Sequence, residues 1–180
     1  MQEESKLIGF ERAILPHLPA AYNLARWLTR NTHDAEDVVQ EAYLRAFRFF
    51  GGFRGGDSRS WLLKIVRNVY YSWAQQDSSR RLATVVDEEI ENIESHALNP
   101  EARLLHNADS QRLRQALEQL PVEYREAIVL RELEELSYKE IADIANIPLG
   151  TVMSRLARAR KRLQQCLLTD ESREYPHEVR

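Results

Sequence analysis

Glycine and proline are scarce in this chain, with six residues of each among 180, and Cys166 is its single cysteine. One cysteine cannot close an intrachain disulfide, which fits a reducing cytoplasm. No apolar run approaches the ~20 residues that a membrane-spanning helix needs. The N-terminus also lacks the basic start and apolar stretch of a secretory signal. These absences predict a soluble cytoplasmic protein with no membrane insertion, and the length leaves room for one domain or two small ones.

A large net charge is also absent, because the chain carries only −3. That value alone argues mildly against a nucleic-acid partner, but its distribution along the chain does not. Residues 45–81 contain eight Lys and Arg against two Asp and Glu, and residues 144–168 contain five against none. Residues 82–101 between them contain six acidic residues and no Lys or Arg. Two basic blocks are typical of polyanion binding, although a single charge run is more often a solvated face.

Strand-like alternation of apolar and polar residues is missing, whereas apolar spacings of three and four recur, so we predict an all-α fold. Four of the six glycines fall within 51–56 and separate two predicted helices. The first runs from Thr32 to Phe50 with Asn31 or Thr32 as cap, and the second begins at Asp57 or Ser58. An earlier helix over 18–30 completes a bundle covering about 8–80, and Pro16 and Pro19 argue against extending that helix upstream. The side chains of the second helix that are expected to face the core are Trp61, Leu62, Ile65, Val69 and Trp73.

The second basic block carries the clearest motif. Ser137 and Glu140 have the spacing of a capping box, which starts a helix at Tyr138. Residues 146–150 contain proline and glycine and must end that helix before a longer one begins near Leu149. Two helices joined by so short a turn predict a helix-turn-helix. Upstream, we predict a linker over 82–101, a helix over 101–119, and another from Pro121 to Glu134 with proline at its first helical position.

The longer helix of this motif has two faces. A buried stripe is predicted for Val152, Leu156, Ala159, Leu163 and Leu167, with Arg155, Arg158 and Arg162 on the opposite side. Thr151 and Ser154 lie at its start, where a recognition helix meets base edges in the major groove. The alternative is an ordinary basic surface helix. Exposed helices usually mix charge signs, so the lack of any acidic residue in 144–168 favours DNA binding.

The first basic block is rich in aromatic residues, among them Phe53, Trp61 and Tyr71. A cationic surface with available rings suits single-stranded nucleic acid, whose bases stack on aromatic faces. The glycine loop beside Phe53 and Arg54 offers a setting for a flipped base or a phosphate. It is not a P-loop, because the Lys-Ser/Thr pair is missing. Burial of the rings in a core remains the alternative.

Three segments, in this order, resemble the extracytoplasmic-function group of bacterial RNA polymerase sigma factors. They are DAEDVVQEAYLRAF at 34–47, FRGGDSRSWLLKIVRN at 53–68, and a set formed by LPVEYREA at 120–127, SYKEIA at 137–142 and GTVMSRLARAR at 150–160. The resemblance implies a two-domain promoter-recognition subunit with two small helical domains. Region 2 would cover 8–81, a flexible acidic linker 82–101, region 4 residues 102–168, and a flexible tail 169–180.

The same resemblance implies three sets of contact residues. Core RNA polymerase would bind Asp34, Asp37, Gln40, Glu41 and Leu44. The minus-ten element would be opened and held by Phe53, Arg54, Ser58, Arg59, Trp61, Lys64, Arg67, Asn68 and Tyr71. The minus-thirty-five element would be read by Lys139, Thr151, Val152, Ser154, Arg155, Arg158 and Arg162. Met153 departs from the family, whose members commonly carry a basic residue at this position.

The partners implied are the clamp helices of the largest polymerase subunit, the flap of the second-largest subunit, promoter DNA in duplex and single-stranded form, and an anti-sigma protein. No catalytic residue, metal or cofactor is expected, because the five histidines show no metal-ligand spacing with one another or with Cys166. Two rival functions remain at this point. An ordinary helix-turn-helix regulator would leave the acidic helix and the basic-aromatic block unexplained, and a nucleic-acid hydrolase would need a convergent carboxylate or histidine set.

Overall fold

The structure is a computed structural model that describes residues 2–81 and 100–174, with side chains described for 6–76 and 110–168. Regular structure in these ranges is helical throughout, as the apolar spacing predicted. The helices are α1 (Gln2–Ile14), α2 (Leu18–Thr29), α3 (Thr32–Phe49), α4 (Ser58–Arg81), α5 (Pro100–Gln119), α6 (Val122–Ile128), α7 (Tyr138–Ala145) and α8 (Leu149–Glu174). Residues 82–99 of the predicted linker, 82–101, lie outside the described residues.

The N-terminal domain is built on a core shared by α2, α3 and α4, with Leu24, Leu28, Val38, Leu62 and Val66 all fully or almost fully buried. A short 3-10 turn over 15–17 separates α1 from α2, as the two prolines predicted. Of the two caps left open for α3, the side chain of Asn31 accepts a hydrogen bond from the backbone N–H of Asp34 at 3.0 Å.

The inward face of α4 differs from the prediction. Leu62 and Val69 are buried as expected, but the remaining buried positions are Leu63, Val66 and Tyr70, whereas Trp61, Ile65 and Trp73 are only half-buried. Apolar residues surround much of this helix, so periodicity alone cannot fix its rotation, and packing on α2 and α3 decides it. The tryptophans consequently lie at the edge of the core. Asp57 is the cap, because its Oδ1 accepts a hydrogen bond from the backbone N–H of Arg59 at 3.0 Å.

In the C-terminal domain, the core includes Leu130, Ile141, Ile144, Val152 and Leu156. Two predicted boundaries were wrong. Pro121 caps α6 from outside rather than opening the helix, and α6 gives way after Ile128 to a π turn over 129–133. In addition, α8 continues to Glu174, whereas the sequence predicted that this helix ends before a flexible tail at 169.

The predicted helix-turn-helix is present as α7 and α8. Ser137 and Glu140 form the reciprocal capping box at the start of α7: the Ser137 side chain accepts from the Glu140 N–H at 3.2 Å, and the Glu140 carboxylate accepts from the Ser137 N–H at 2.7 Å. Asn146 ends α7 in the left-handed conformation, with φ at 54°. The backbone N–H of Thr151 then donates to Pro148 O at 2.9 Å, which starts α8.

The capping box gives the helix-turn-helix a pH-dependent contribution to stability. Hydrogen bonds from Ser137 lower the pKa of the Glu140 carboxyl. Because the folded-state pKa lies below the unfolded one, the stabilisation is present above the ordinary Glu pKa and is lost as the pH falls through the folded value. We expect Glu140→Gln to lower the free energy of unfolding at pH 7 and to match the parent chain in acid. Denaturant titrations across pH would test this, and a gap that persisted in acid would contradict it.

Candidate nucleic-acid interface

The glycine loop between α3 and α4 carries an aromatic cluster. The rings of Phe50 and Phe53 are stacked with centroids 5.8 Å apart, and Trp61 at the start of α4 lies 4.9 Å from Phe53. Gly55 and Gly56 have φ values of 86° and 104°, a region that side-chain-bearing residues rarely adopt. These glycines let the chain turn sharply after Phe53. Phe53 in the loop and Trp61 on α4 therefore lie side by side, and each is half-buried.

The basic side chains of this domain are distributed around that cluster. Arg54 in the loop and Lys64 and Asn68 on α4 are exposed. One turn further along α4, the Arg67 guanidinium lies over the Tyr71 ring at 4.4 Å from its centroid. Ser58 is half-buried, and its Oγ lies 3.0 Å from Nε2 of His17. The sequence reasoning correctly placed Tyr71 beside Arg67, away from the buried stripe.

The half-buried positions of Phe53 and Trp61 are compatible with both roles that the sequence left open, packing in the core and stacking with bases. One side of each ring packs on the domain, and the rest remains accessible beside cationic side chains. Aromatic faces next to Lys and Arg are the arrangement that single-stranded nucleic acid uses. The cluster can therefore hold an unstacked base without leaving the core.

On the helix-turn-helix, most of the residues implied by the resemblance are accessible. Lys139, Ser154, Arg158 and Arg162 are exposed and Thr151 and Arg155 are half-buried. The Ser154 hydroxyl donates to Thr151 O at 3.0 Å. The exception is Val152, which is completely buried. Assigning Val152 to a base edge was therefore wrong, because its side chain packs in the domain core as the apolar stripe also predicted.

The exposed face of α3 repeats at helical spacing. Asp37 and Gln40 are exposed, Asp34 is half-buried, and Leu44 is 65% exposed although it is a large apolar residue. Glu41 forms an i,i+4 ion pair with Arg45 at 2.6 Å. An exposed apolar side chain beside carboxylates is compatible with a protein-binding face, in which an apolar centre is surrounded by polar residues.

The structure also shows a contact that the sequence did not predict, between the two domains. Glu126 on α6 accepts hydrogen bonds from Nε of Arg67 and from the Tyr71 hydroxyl, the latter at 3.2 Å. Glu134, just after the π turn, accepts from Nη2 of Arg59 and from Nδ2 of Asn23. Three residues assigned to the minus-ten element by resemblance thus bind carboxylates of the other domain.

Arg125 adds a second part to this contact. Its guanidinium donates to the carbonyl oxygens of Glu118 and Leu120 within its own domain and to that of Leu28 at the end of α2. Burial lowers the pKa of the Arg125 guanidinium, and the nearby charge of Arg30 adds to this. Burial also raises the pKa of the Glu126 carboxyl, against the opposing effect of Arg67.

The sequence contains a signal for the buried charge of Glu126 that the predictions did not use. Glu126 is four residues after Val122 and three before Val129, so it occupies a position on the apolar stripe of its own helix. A charged residue on an apolar stripe predicts a buried partner, since an unpaired buried charge is costly. That this partner is Arg67 could not be predicted, because Arg67 lies in the other domain.

The described ranges contain neither a membrane-spanning helix nor a group of metal ligands. No helix in 2–81 or 100–174 is both long and apolar enough to cross a membrane. Among the side chains that the structure describes, no group of three or more His, Cys, Asp or Glu residues is placed to hold a metal ion.

Comparison with protein-family models gives two matches in the order that the resemblance requires. Sigma-70 region 2 matches residues 13–80, and Sigma-70, region 4 matches residues 110–163. Among curated proteins, the RNA polymerase sigma-H factor of Pseudomonas aeruginosa is 33% identical over 166 residues, covering 88% of this chain and 86% of the relative. The ECF RNA polymerase sigma-E factor of Escherichia coli is 41% identical over 135 residues, covering 71% of each. The ECF RNA polymerase sigma factor SigE of Mycolicibacterium smegmatis is 31% identical over 170 residues, covering 94% of this chain and 66% of the relative.

Two solved structures agree with the observed architecture. The sigma factor RpoE in complex with the anti-sigma factor NepR from Bartonella quintana superposes with a TM-score of 0.76 at 30% identity, covering 90% of this chain and 98% of that one. CnrH in complex with the cytosolic domain of CnrY gives a TM-score of 0.59 at 25% identity, covering 89% and 88%. Neither the regulator nor the hydrolase considered from the sequence accounts for these matches. Two family-specific regions in the right order, together with relatives above 30% identity that are covered over more than two thirds of their length, show that the chain belongs to the extracytoplasmic-function group of sigma-70 family RNA polymerase sigma factors and directs promoter-specific transcription initiation.

Proposed function

We propose that this sigma factor opens the minus-ten element with the glycine loop and the adjoining face of α4. The observation that carries this proposal is the half-buried Phe53–Trp61 pair, 4.9 Å apart, with Arg54 and Lys64 exposed beside it. The bases of the separated strand would stack on these rings, and the basic side chains would bind its phosphates. Ser58, Arg59, Arg67, Asn68 and Tyr71 complete the proposed surface along the loop and helix.

The energies involved fit such a passive mechanism. Unstacking DNA costs on the order of 1.4 kcal/mol per base-pair step, and each base captured on an aromatic ring gains ~1–3 kcal/mol. Capture of a few bases therefore offsets the opening of a short segment. No covalent step by the sigma factor is needed, in keeping with relatives that are named as sigma factors rather than enzymes.

We propose that α8 reads the minus-thirty-five element in the major groove. Thr151 and Ser154 lie at its N-terminal end. Further along the helix, Arg158 and Arg162 are exposed and Arg155 is half-buried. Lys139 at the start of α7 is exposed and suits a phosphate contact, because the first helix of such a motif crosses the DNA backbone. Val152 is left out of this set because of its burial.

Arg158→Ala is expected to weaken minus-thirty-five recognition by about 5- to 150-fold, the value of one good base contact at ~1–3 kcal/mol. Arg160→Ala is the matched control, since Arg160 is two residues away on the same helix and pairs with Glu132 at 2.8 Å within its own domain. Transcription from promoters with intact and scrambled minus-thirty-five elements would measure the effect. Equal losses on both promoters would show a phosphate contact instead of base reading.

We also propose the partners. The exposed face of α3, with Asp34, Asp37, Gln40, Glu41 and Leu44, would bind the clamp helices of the largest polymerase subunit, and the C-terminal domain would reach the flap of the second-largest subunit. The RpoE structure contains the anti-sigma factor NepR, which supports an anti-sigma protein as the regulator of this chain. The site of action would be the cytoplasm, at the nucleoid when the chain is bound to polymerase.

A run-off transcription assay with purified core polymerase tests the whole proposal. We expect promoter-dependent initiation from a linear duplex template when the chain is added, and none with core polymerase alone. Promoters would first be selected from genomic DNA with the reconstituted holoenzyme. Failure to form a complex with core polymerase would refute the assignment of α3, whereas a complex that initiates only on pre-melted templates would refute the assignment of the glycine loop and α4.

A further inference from the structure

The contact between the two domains has an unusual chemical composition. Arg125, Glu126 and Glu134 are the buried charged residues among the side chains that the structure describes. Arg125 and Glu126 lie on α6, Glu134 directly follows the π turn, and all three contact the N-terminal domain. Burying a charge is costly unless it is paired and hydrogen-bonded. Each of these buried charges is paired with a group from the other domain.

Arg67 and Tyr71, which bind Glu126, and Arg59, which binds Glu134, belong to the minus-ten surface defined above. The Arg67 side chain is only 15% exposed and its Glu126 partner 2%, and the Arg59–Glu134 pair is 32% and 6% exposed. A carboxylate offers an arginine the same anionic oxygens as a DNA phosphate. Glu126 accepts from Nε of Arg67 and from the Tyr71 hydroxyl, so these donor groups are not available to a DNA strand while the contact lasts.

The spacing of the two ion pairs matches along both helical segments. Arg59 and Arg67 are eight residues apart on α4, and Glu126 and Glu134 are eight apart in the opposite direction. The π turn over 129–133 lies between the two glutamates, and both carboxylates reach arginines of α4. π turns of this kind often occur at functional sites.

We propose that Glu126 and Glu134 form an acidic latch that occupies the phosphate-binding side chains of α4 and keeps the free chain from binding single-stranded DNA. This inference rests on the proposed role of Arg59, Arg67 and Tyr71. The latch covers only part of the surface, since Arg54, Lys64 and Asn68 stay exposed. A strand can therefore bind the open part first and then compete with the carboxylates for the rest. The latch opens when the two domains separate on polymerase and promoter.

The test uses the full chain with fluorophores at Cys166 in the C-terminal domain and at a cysteine introduced by Glu36→Cys on the exposed side of α3. Energy transfer between them reports separation of the domains, and fluorescence anisotropy of a labelled single-stranded minus-ten oligonucleotide reports binding. The variant is Glu126→Gln with Glu134→Gln, which removes both charges and keeps the side-chain shape. The matched control is Glu132→Gln with Glu135→Gln, which removes two exposed charges from the same segment.

The latch predicts lower energy transfer in the Glu126/Glu134 variant together with an oligonucleotide affinity higher by about 5- to 150-fold, the usual range of coupling between two sites. The control should change neither reading. Unchanged energy transfer, or a control that responds equally, would overturn the latch and leave the proposed function standing. Lower transfer without a gain in affinity would overturn its inhibitory role. Circular dichroism would confirm that helix content is retained.

Arg67→Gln separates the latch from the proposed function. It breaks the same pair from the other side, so the latch predicts lower energy transfer here as well. If Arg67 binds DNA as proposed, this variant gains less affinity than the Glu126/Glu134 variant, or loses affinity. An equal gain would refute the DNA contact of Arg67 while supporting the latch, and unchanged energy transfer would refute the latch itself.

Discussion

Replacing Phe53 and Trp61 together by alanine is expected to prevent promoter opening by the reconstituted holoenzyme while leaving its assembly intact. Each ring supplies a stacking surface worth ~1–3 kcal/mol, so the pair accounts for a loss of at least about 30-fold in open complex. The rings are half-buried and lie at the edge of the domain core, so part of each ring is accessible to a base. Potassium permanganate footprinting of unpaired thymines would measure opening directly.

A template with a pre-melted minus-ten bubble distinguishes a loss of opening from a loss of fold. On that template the double variant should initiate more nearly like the parent chain, because the unstacking cost has already been met. Phe49→Ala is the matched control: its ring is 61% exposed, only a few residues away, and stands apart from the Phe53–Trp61 pair. Opening that survives in the double variant, or fails equally in the control, would show that the cluster does not capture bases.

Local chemistry explains why some of this surface was predictable from the sequence. The capping box at Ser137 and Glu140, the break after Asn146 and the glycines before α4 each depend on a few neighbouring residues, and each was predicted correctly. Tyr71 was likewise placed beside Arg67 from helical spacing alone. The buried stripe of α8 was predicted well enough to conflict with the DNA role of Val152, and the structure decides that conflict in favour of burial.

Features that depend on distant parts of the chain were missed. The rotation of α4 is set by α2 and α3, so the predicted inward positions of Trp61 and Trp73 were displaced to the edge of the core. The π turn after Ile128 contacts α7 of its own domain and α2 of the other, and no local pattern marks it. Glu126 was visible as a charge on an apolar stripe, but its partner lies 59 positions away in sequence. Spacing within one helix contains no information about such a pairing.

The near-zero net charge has a structural counterpart in these pairings. Part of the basic block at 45–81 is neutralised by Glu126 and Glu134 of the other domain, not by acidic neighbours on α4. Neutralisation across domains can be reversed by moving the domains apart, whereas neutralisation along one helix cannot. A single chain can therefore be weakly attracted to DNA when closed and strongly attracted when held open by polymerase.

Asp37→Arg combined with Leu44→Asp is expected to reduce binding to core polymerase by at least about 100-fold. Leu44 is 65% exposed on the outer face of α3, and burying a leucine side chain in an interface is worth ~1.5–3 kcal/mol. Placing a carboxylate at this anchor and reversing the charge at Asp37 adds a repulsive cost of several kcal/mol. Fold stability should change little, since both side chains point away from the core. Anisotropy titration of the labelled chain with core polymerase, without DNA, would measure the loss.

The matched control makes the same two changes elsewhere, as Asp143→Arg on α7 and Leu113→Asp on α5, both at exposed positions. Its affinity for core polymerase should remain within a few-fold of the parent chain if the α3 face provides the main contact. Equal losses in both double variants would show that the charge changes act non-specifically. Full binding by the α3 variant would contradict its role.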